Sequence, residues 1–399
     1  MTDATLPPLR GRAARALCLD DFDDAARRHL PLPVYSYIAG AAETNRSARA
    51  NRDAYGDYDF VPRALVDISQ RTSATTLFGH TYAAPFGIAP MGLAALSAYR
   101  GDLVITNAAR RANIPMVMSG SSLIRLEDVV QANPGAWFQA YLPGDDAGIQ
   151  ALLERVKTAG YETLVITLDT PVAANRENNV RAGFTIPVRP GARLAWQGIT
   201  HPRWLFGTFL RTLARHGMPH FENSYATRGA PILSPHVERD MSDRGHLNWR
   251  HLDLVRALWP GKLVVKGILD ARDARRAQEA GVDGVIVSNH GGRQLDGAVA
   301  PLRVLPVIVA ACPGLPVMID SGIRRGSDVL KALALGASFV FVGRPFSFAA
   351  AVGGEAAVHK AIGLLQTEVS RNMALLGVTS IAQLDASYLL NNRLRDHTP

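Results

Sequence analysis

The feature that most constrains this chain is a recurrence of short Val/Ile/Leu/Phe-rich runs, each followed by a turn and then a segment of helical period. Eight such runs occur: Phe86 to Ala89, Pro115 to Met118, Ala136 to Tyr141, Thr163 to Leu168, Lys262 to Lys266, Gly284 to Ser288, Pro316 to Asp320, and Ser338 to Gly343. Near-continuous apolar runs of this length mark parallel strands covered on both faces, and parallel strands need helical crossovers between them. Asp102 to Ala112, Ile149 to Ala159, Ala271 to Ala280 and Ser327 to Leu335 supply helical pattern in the gaps. Gly160, Gly281 and Gly336 stand just past three of these stretches, where a helix end takes up a left-handed residue. Eight βα units in one chain close into a barrel, so the expected fold is α/β, a (β/α)8 TIM barrel over residues 84–376.

The rival architecture, an open doubly wound sheet, ordinarily carries GxGxxG at its first turn. No two glycines here are two apart, and in the one Gly-Lys pair, Gly261-Lys262, Arg256 stands where a P-loop needs its first glycine. With 399 residues, 47% hydrophobic and 20% charged, the chain can bury a large core, which excludes disorder and coiled coil. The formal charge is +8, and all but five of the 43 basic residues are arginines spread along the whole length. A nucleic-acid surface would cluster them, so no nucleic-acid partner is expected. Cys18 and Cys312, without a CxxC or a secretory apolar segment, predict a reducing, cytoplasmic setting and neither disulfide nor metal site. No apolar run approaches the roughly 20 residues of a membrane span.

A single domain over 1–399 accounts for the length. Residues 30–80 read as an N-terminal helical segment ending in a strand pair around Leu77-Phe78-Gly79. Residues 184–248 form a long lid insertion between strands four and five, since so long a connection is usually functional. Within it Phe206, Phe209, Leu210 and Leu213 share a helix face beside Trp204, with Arg203, Arg211 and Arg215 off that face. Packing of this face onto the barrel is the favoured expectation, and docking at a membrane surface or toward a quinone is the alternative.

Barrel chemistry sits at the C-terminal ends of the strands, and every run here ends in polar or turn-forming residues: Pro90-Met91-Gly92, Ser119, Gln139 with Tyr141, Thr167 with Asp169, Lys266, Ser288 to His290, Asp320, and Gly343-Arg344. Lys266 ends an apolar run, so it must pair with a strand-end carboxylate or serve an anion, and the anion role is favoured. His290 lies in Ser288-Asn289-His290-Gly291-Gly292-Arg293-Gln294 and is the candidate base, with Asp169 placed to orient it. Arg293 and Arg176 are candidates for a bidentate grip on a carboxylate. The turns holding Gly322, Arg324, Gly343 and Arg344, after strands seven and eight, are where such barrels bind phosphate.

Together with Ser-Asn-His-Gly-Gly-Arg-Gln-Leu-Asp (288–296), these residues make the chain resemble the FMN-dependent L-2-hydroxy-acid oxidase and dehydrogenase family from about Leu30 to Leu376. His201-Pro202-Arg203-Trp204, Arg215 to Pro219 and Leu258-Trp259-Pro260 are most similar to its (S)-mandelate and bacterial L-lactate dehydrogenase branch. The resemblance implies FMN, with Pro90, Met91, Gly92, Ser119, Gln139, Thr167, Lys266 and Ser288 at the ring and ribityl chain. It implies Asp320, Gly322, Arg324, Gly343 and Arg344 at the ribityl and phosphate end, and Tyr37, Tyr141, Arg176, His290 and Arg293 around the substrate. The catalytic set would be His290, Asp169, Lys266 and Tyr141. Two departures stand out: Ser121 replaces a tryptophan of the glycolate enzymes, widening the pocket for an aromatic or branched side chain, and Ala41-Ala42-Glu43 replaces Gly-Ala-Glu. The implied activity is oxidation of a mandelate- or lactate-like L-2-hydroxy acid, with electrons passing to quinone or oxygen, in a homotetramer with peripheral contact at the inner membrane face. An FMN barrel that isomerises isoprenoid diphosphates is the alternative.

Overall fold

The computed structural model describes residues 6–189, 191–234 and 244–392. Its centre is eight parallel strands, one in or overlapping each apolar run: β1 (Phe86–Ile88), β2 (Val117–Ser119), β3 (Trp137–Ala140), β4 (Thr163–Thr167), β5 (Lys262–Ile268), β6 (Gly284–Val287), β7 (Val317–Ile319) and β8 (Phe339–Val342). They pair in the order β1-β8-β7-β6-β5-β4-β3-β2, and a parallel bridge between Ile88 and Met116 shuts the ring. Alternate side chains divide between two cores, as the two-residue strand period requires. Val117, Trp137, Val165, Val264, Ile286, Met318, Phe339 and Phe341 fill the barrel. Met118, Phe138, Ile166, Val265, Val287, Ile319 and Val340 belong to the larger shell between barrel and helices. Burial on both faces is the reason the runs lack a polar alternation.

Gly160, Gly281 and Gly336 do take up positive φ, between 78° and 99°, at the helix ends. A hairpin of Thr75–Leu77 and His80–Tyr82 turns at Phe78-Gly79, both with positive φ, and sends Leu77 and Tyr82 into the barrel interior as its floor. Helices begin nearer the N-terminus than residue 30, with Gly11–Arg15 and Asp20–His29 preceding Leu32–Ala39 and Arg46–Asp53. Asp20–His29 carries acids in its first turn and bases in its last, in line with the helix dipole, and buries Phe22, Ala25 and Ala26 against the C-terminal helix.

That C-terminal helix, Arg344–Leu376, corrects one expectation, because over its best stretch it is long and apolar enough to cross a membrane. The apolar residues are used internally instead. Phe346, Phe348, Ala357, Ile362, Leu365, Val369 and Met373 are fully buried, the helix packs on Gly101–Arg111 and Asp20–His29, and it breaks at Gly353-Gly354.

The insertion after β4 contains short helices Glu177–Ala182, Ala192–Ile199, Pro202–Trp204 and Arg211–His216; residues 190 and 235–243 of it lie outside the described residues. It is tied to the barrel by Trp204 Nε1, which donates to the Leu96 carbonyl at 2.8 Å, and by Asn223, which donates to the Ile124 carbonyl at 2.7 Å and accepts from Leu126 N–H at 2.8 Å. The expected packing of its apolar face holds in part: Phe209 packs on the core and stacks on Trp204, whereas Phe206 is 66% and Leu210 39% exposed. Leu205–Leu210 forms a wider π-helical turn, which gives the buried positions to Trp204 and Thr208.

Candidate active site

The C-terminal strand ends and the lid enclose a cavity of about 710 Å³. Tyr37, Pro90, Met91, Gly92, Ser121, Tyr141, Thr167, Arg176, Lys266, His290, Arg293, Asp320, Gly322, Arg324, Gly343 and Arg344 all line it. Ser119, Gln139 and Ser288 are buried behind that surface, and Asp169 reaches it through His290.

His290 follows β6 at φ 58° and opens a run of left-handed residues with Gly291 at 68° and Gly292 at 76°. This turn aims the imidazole across the rim, where Nδ1 lies 2.9 Å from Asp169 Oδ1. Burial alone would raise the Asp169 pKa, but His290 and Lys266 more than reverse this and hold it below the usual carboxylate value. An ionised Asp169 fixes the proton on Nδ1 and leaves Nε2 as the basic nitrogen. Burial also pulls the His290 pKa below 6.5, with Asp169 opposing and Lys266 assisting, so the ring is neutral at pH 7. The close approach of Asp169 explains a register shift in β5: Gly267 sits at φ 104°, and a Cβ there would come within 2.7 Å of the Asp169 Cβ.

Within the protein Lys266 is ion-paired, as the salt-bridge reading allows. Its Nζ lies 3.2 Å from Asp320 Oδ2 and donates to Ser288 Oγ at 2.9 Å, because strands β5 to β7 are neighbours and end level. Burial works against its charge, but Asp320, Asp169 and Tyr141 outweigh that and raise its pKa. Gln139 accepts from Ser119 Oγ at 3.1 Å, whereas its own Nε2 and the hydroxyl of Thr167 are buried without a protein partner.

The arginines divide by surroundings. Arg293 Nη1 donates to the carbonyls of Tyr37 and Gly40, both at 2.8 Å, and burial followed by the nearby Arg176 lowers its pKa to about 10. Arg176 Nη2 donates to Gln294 Oε1 at 2.8 Å, and Gln294 Nε2 donates to the Asp169 carbonyl at 3.1 Å. Arg344 donates to the carbonyls of Ile38, Gly40 and Gly291; burial, then Arg293 and Arg324, pull its pKa far down. Arg324 is 3.4 Å from Asp20 of the N-terminal arm. Among the described residues, Arg176, Arg293 and Arg344 have no acidic partner at ion-pair distance. Three such guanidiniums in one cavity are suited to holding anions. Despite its departure at Ala41-Ala42-Glu43, the segment beside Tyr37 is anchored: Ala42 N–H donates to the Gly292 carbonyl and Glu43 N–H to that of Asn175, both at 2.9 Å.

Sequence reasoning missed several contributors. Gln294 links Arg176 to the Asp169 strand end and lies inside the 288–296 motif, so that motif already held its signal. Leu93, Phe184, Ile186 and Phe221 build an apolar wall over Tyr37, whose ring lies 4.8 Å from that of Phe184. Three of these come from the lid, where irregular pattern hides them.

A family model described as FMN-dependent dehydrogenase matches residues 26–391. The chain belongs to the FMN-dependent dehydrogenase family. Its curated relatives include (S)-mandelate dehydrogenase of Pseudomonas putida, 38% identical over 96% of this chain and 95% of the relative. An L-lactate dehydrogenase of Xanthomonas campestris pv. campestris is 38% identical over 92% of this chain and 95% of its own length. A solved structure of the monotopic membrane protein (S)-mandelate dehydrogenase superposes with a TM-score of 0.87 at 38% identity, covering 94% of this chain and 99% of that one. A mandelate oxidase variant with 2-hydroxy-phenylacetamide gives 0.78 at 34%, covering 94% and 98%. As a member of the FMN-dependent dehydrogenase family the chain is an oxidoreductase that uses FMN, which sets the isomerase alternative aside. The cavity fits that cofactor on its own chemistry. The unpartnered Gln139 Nε2 and Thr167 hydroxyl are groups that a ring's polar edge satisfies, and the arginines without acidic partners suit a phosphate.

Proposed function

We propose that this protein oxidises an L-2-hydroxy acid with a mandelate- or lactate-like side chain to its 2-oxo acid. Pro90, Met91, Gly92, Ser119, Gln139, Thr167, Lys266 and Ser288 would hold the flavin ring and ribityl chain, and Asp320, Gly322, Arg324, Gly343 and Arg344 the ribityl and phosphate end. FMN, when bound, accepts the two electrons of the oxidation.

The protein's own residues do the rest. Arg176 and Arg293 bind the substrate carboxylate and fix its orientation, with Tyr37 and Tyr141 as side walls. His290 receives a substrate proton on Nε2, and Asp169 stabilises the imidazolium that results. Lys266 contributes a fixed positive charge at the strand ends. Ser121 and the apolar wall of Leu93, Phe184, Ile186 and Phe221 leave room for a bulky side chain. The observation that carries this reading is the 2.9 Å His290–Asp169 pair in one cavity with Arg176 and Arg293. His290→Gln should retain yellow, bound flavin and lose turnover by several orders of magnitude. Near-normal reduction of the flavin by substrate in that variant would refute the assignment.

The lid supports peripheral membrane contact and a quinone acceptor. Trp196 (64%), Ile199 (62%) and Phe206 (66%) are exposed, with Leu210 beside Arg203, Arg211 and Arg215. Apolar side chains among arginines suit the surface of an anionic bilayer.

A further inference from the structure

We infer that Asn51, on the helix Arg46–Asp53 outside the barrel, is the positioning residue that holds His290 in its working orientation. This rests on the role proposed for His290. Three consecutive left-handed residues, the first of them not a glycine, are an unfavourable backbone that the surroundings must impose. Hydrogen bonds from Ala42 N–H to the Gly292 carbonyl, from Arg344 to the Gly291 carbonyl and from Gly291 N–H to Ser321 Oγ hold the backbone of this turn, and the residue before it, Asn289, closes it through its side chain. Its Oδ1 accepts from Gly292 N–H at 3.0 Å, closing the turn around His290, and its Nδ2 donates to the Val299 carbonyl at 3.2 Å.

Asn289 is in turn held by Asn51. Asn51 Nδ2 donates to Asn289 Oδ1 at 2.8 Å, and Asn289 Nδ2 donates to Asn51 Oδ1 at 2.7 Å, a reciprocal amide pair. The two residues are 2% and 3% exposed, so water does not readily replace either partner. The same helix presses on the turn from outside: a Cβ at Gly292 would meet Ala48 N at 2.5 Å. Ser47 N–H donates to Asp296 Oδ1 at 2.8 Å beyond it. Among these contacts only the Asn51 amide reaches the side chain that closes the turn. Without it Asn289 keeps buried polar atoms half satisfied, the turn relaxes, and His290 Nδ1 leaves Asp169. The charged groups facing His290 are Asp169 at the end of β4, Lys266 on β5 and Arg176 from the insertion.

The test is Asn51→Leu in the FMN-loaded protein, with flavin binding followed by fluorescence and flavin reduction by (S)-mandelate followed anaerobically. FMN affinity is expected to stay within about 3-fold while the reduction rate falls about 10- to 100-fold, as for other residues that support a reacting group. KM should change little, because Arg176 and Arg293 are untouched. The acid limb of kcat/KM should move to lower pH, because the ring loses the Asp169 contact that opposes the lowering of its pKa. Asn51→Asp, which keeps the acceptor for Asn289 Nδ2, should fall between the two. An unchanged reduction rate and acid limb with FMN bound would overturn the inference, as would a loss that merely tracks the folded fraction. Should Asn51→Leu fail to fold, Asn51→Ser carries the same readouts. If His290→Gln itself reduces flavin normally, the reading of the site fails; if His290→Gln is inactive and Asn51→Leu normal, only the role of Asn51 fails.

Discussion

On the proposed role of His290 as base, Asp169→Asn isolates the electrostatic contribution to proton transfer. In the resting site a neutral imidazole faces an ionised, buried carboxylate at 2.9 Å. Once His290 has taken a proton, the two opposite charges are centred about 4 Å apart. At an effective dielectric constant near 20 their attraction is worth about 4 kcal/mol. Losing it costs about three decades of rate at 1.36 kcal/mol per decade. The amide also offers an N–H to Nδ1, which favours the tautomer whose Nε2 carries the proton and cannot act as base. Flavin reduction by (S)-mandelate, measured by anaerobic stopped flow, should therefore slow by about 10³-fold with the flavin still bound. Asp169 opposes the lowering of the His290 pKa. The basic form is lost as pH falls through that pKa, so residual kcat/KM in Asp169→Asn should persist to lower pH than in the parent. A slowing of less than about 10-fold, or an acid limb displaced to higher pH, would show that Asp169 does not act as this geometry requires.

Two further outcomes test the pocket and the lid. Ser121 lies against Gly92, where a Cβ would already come within 3.1 Å of both Ser121 Cβ and Tyr37 Oη, so an indole there must take space from the substrate. Ser121→Trp should lower kcat/KM for mandelate by at least about 100-fold and for lactate by less than about 5-fold; equal losses would refute the wide-pocket reading. Phe206→Glu with Leu210→Glu removes two exposed apolar side chains, each worth about 1.5–3 kcal/mol when buried, and should cut sedimentation with phosphatidylglycerol-containing vesicles by about 100-fold or more. Unchanged sedimentation would remove the lid from membrane contact.

The barrel was legible because its signal is local. A strand buried on both faces must be apolar throughout, a crossover helix must show its own period, and a glycine must stand where the chain turns left-handed, so the eight strands fall within or against the eight runs. Much of the cavity lining followed from that register, since each strand end is fixed once the strand is. The C-terminal helix was read less well: its apolar residues are interrupted by Glu355, Lys360 and a Gly-Gly break, so no single run announces a 33-residue element.

What the sequence determined by itself is therefore the set of groups at the rim: a histidine, a carboxylate, a lysine and the arginines. What only the tertiary structure decided is how those groups are paired. That Lys266 meets Asp320 and Ser288 depends on which strand ends lie level, and whether Phe206 is covered depends on one widened helical turn. The link between Asn51 and Asn289 spans 238 positions and leaves no periodic trace. Hydrophobic burial acts through spacing along the chain and can be read there, whereas a hydrogen bond between distant side chains exists only after the fold has brought them within 3 Å.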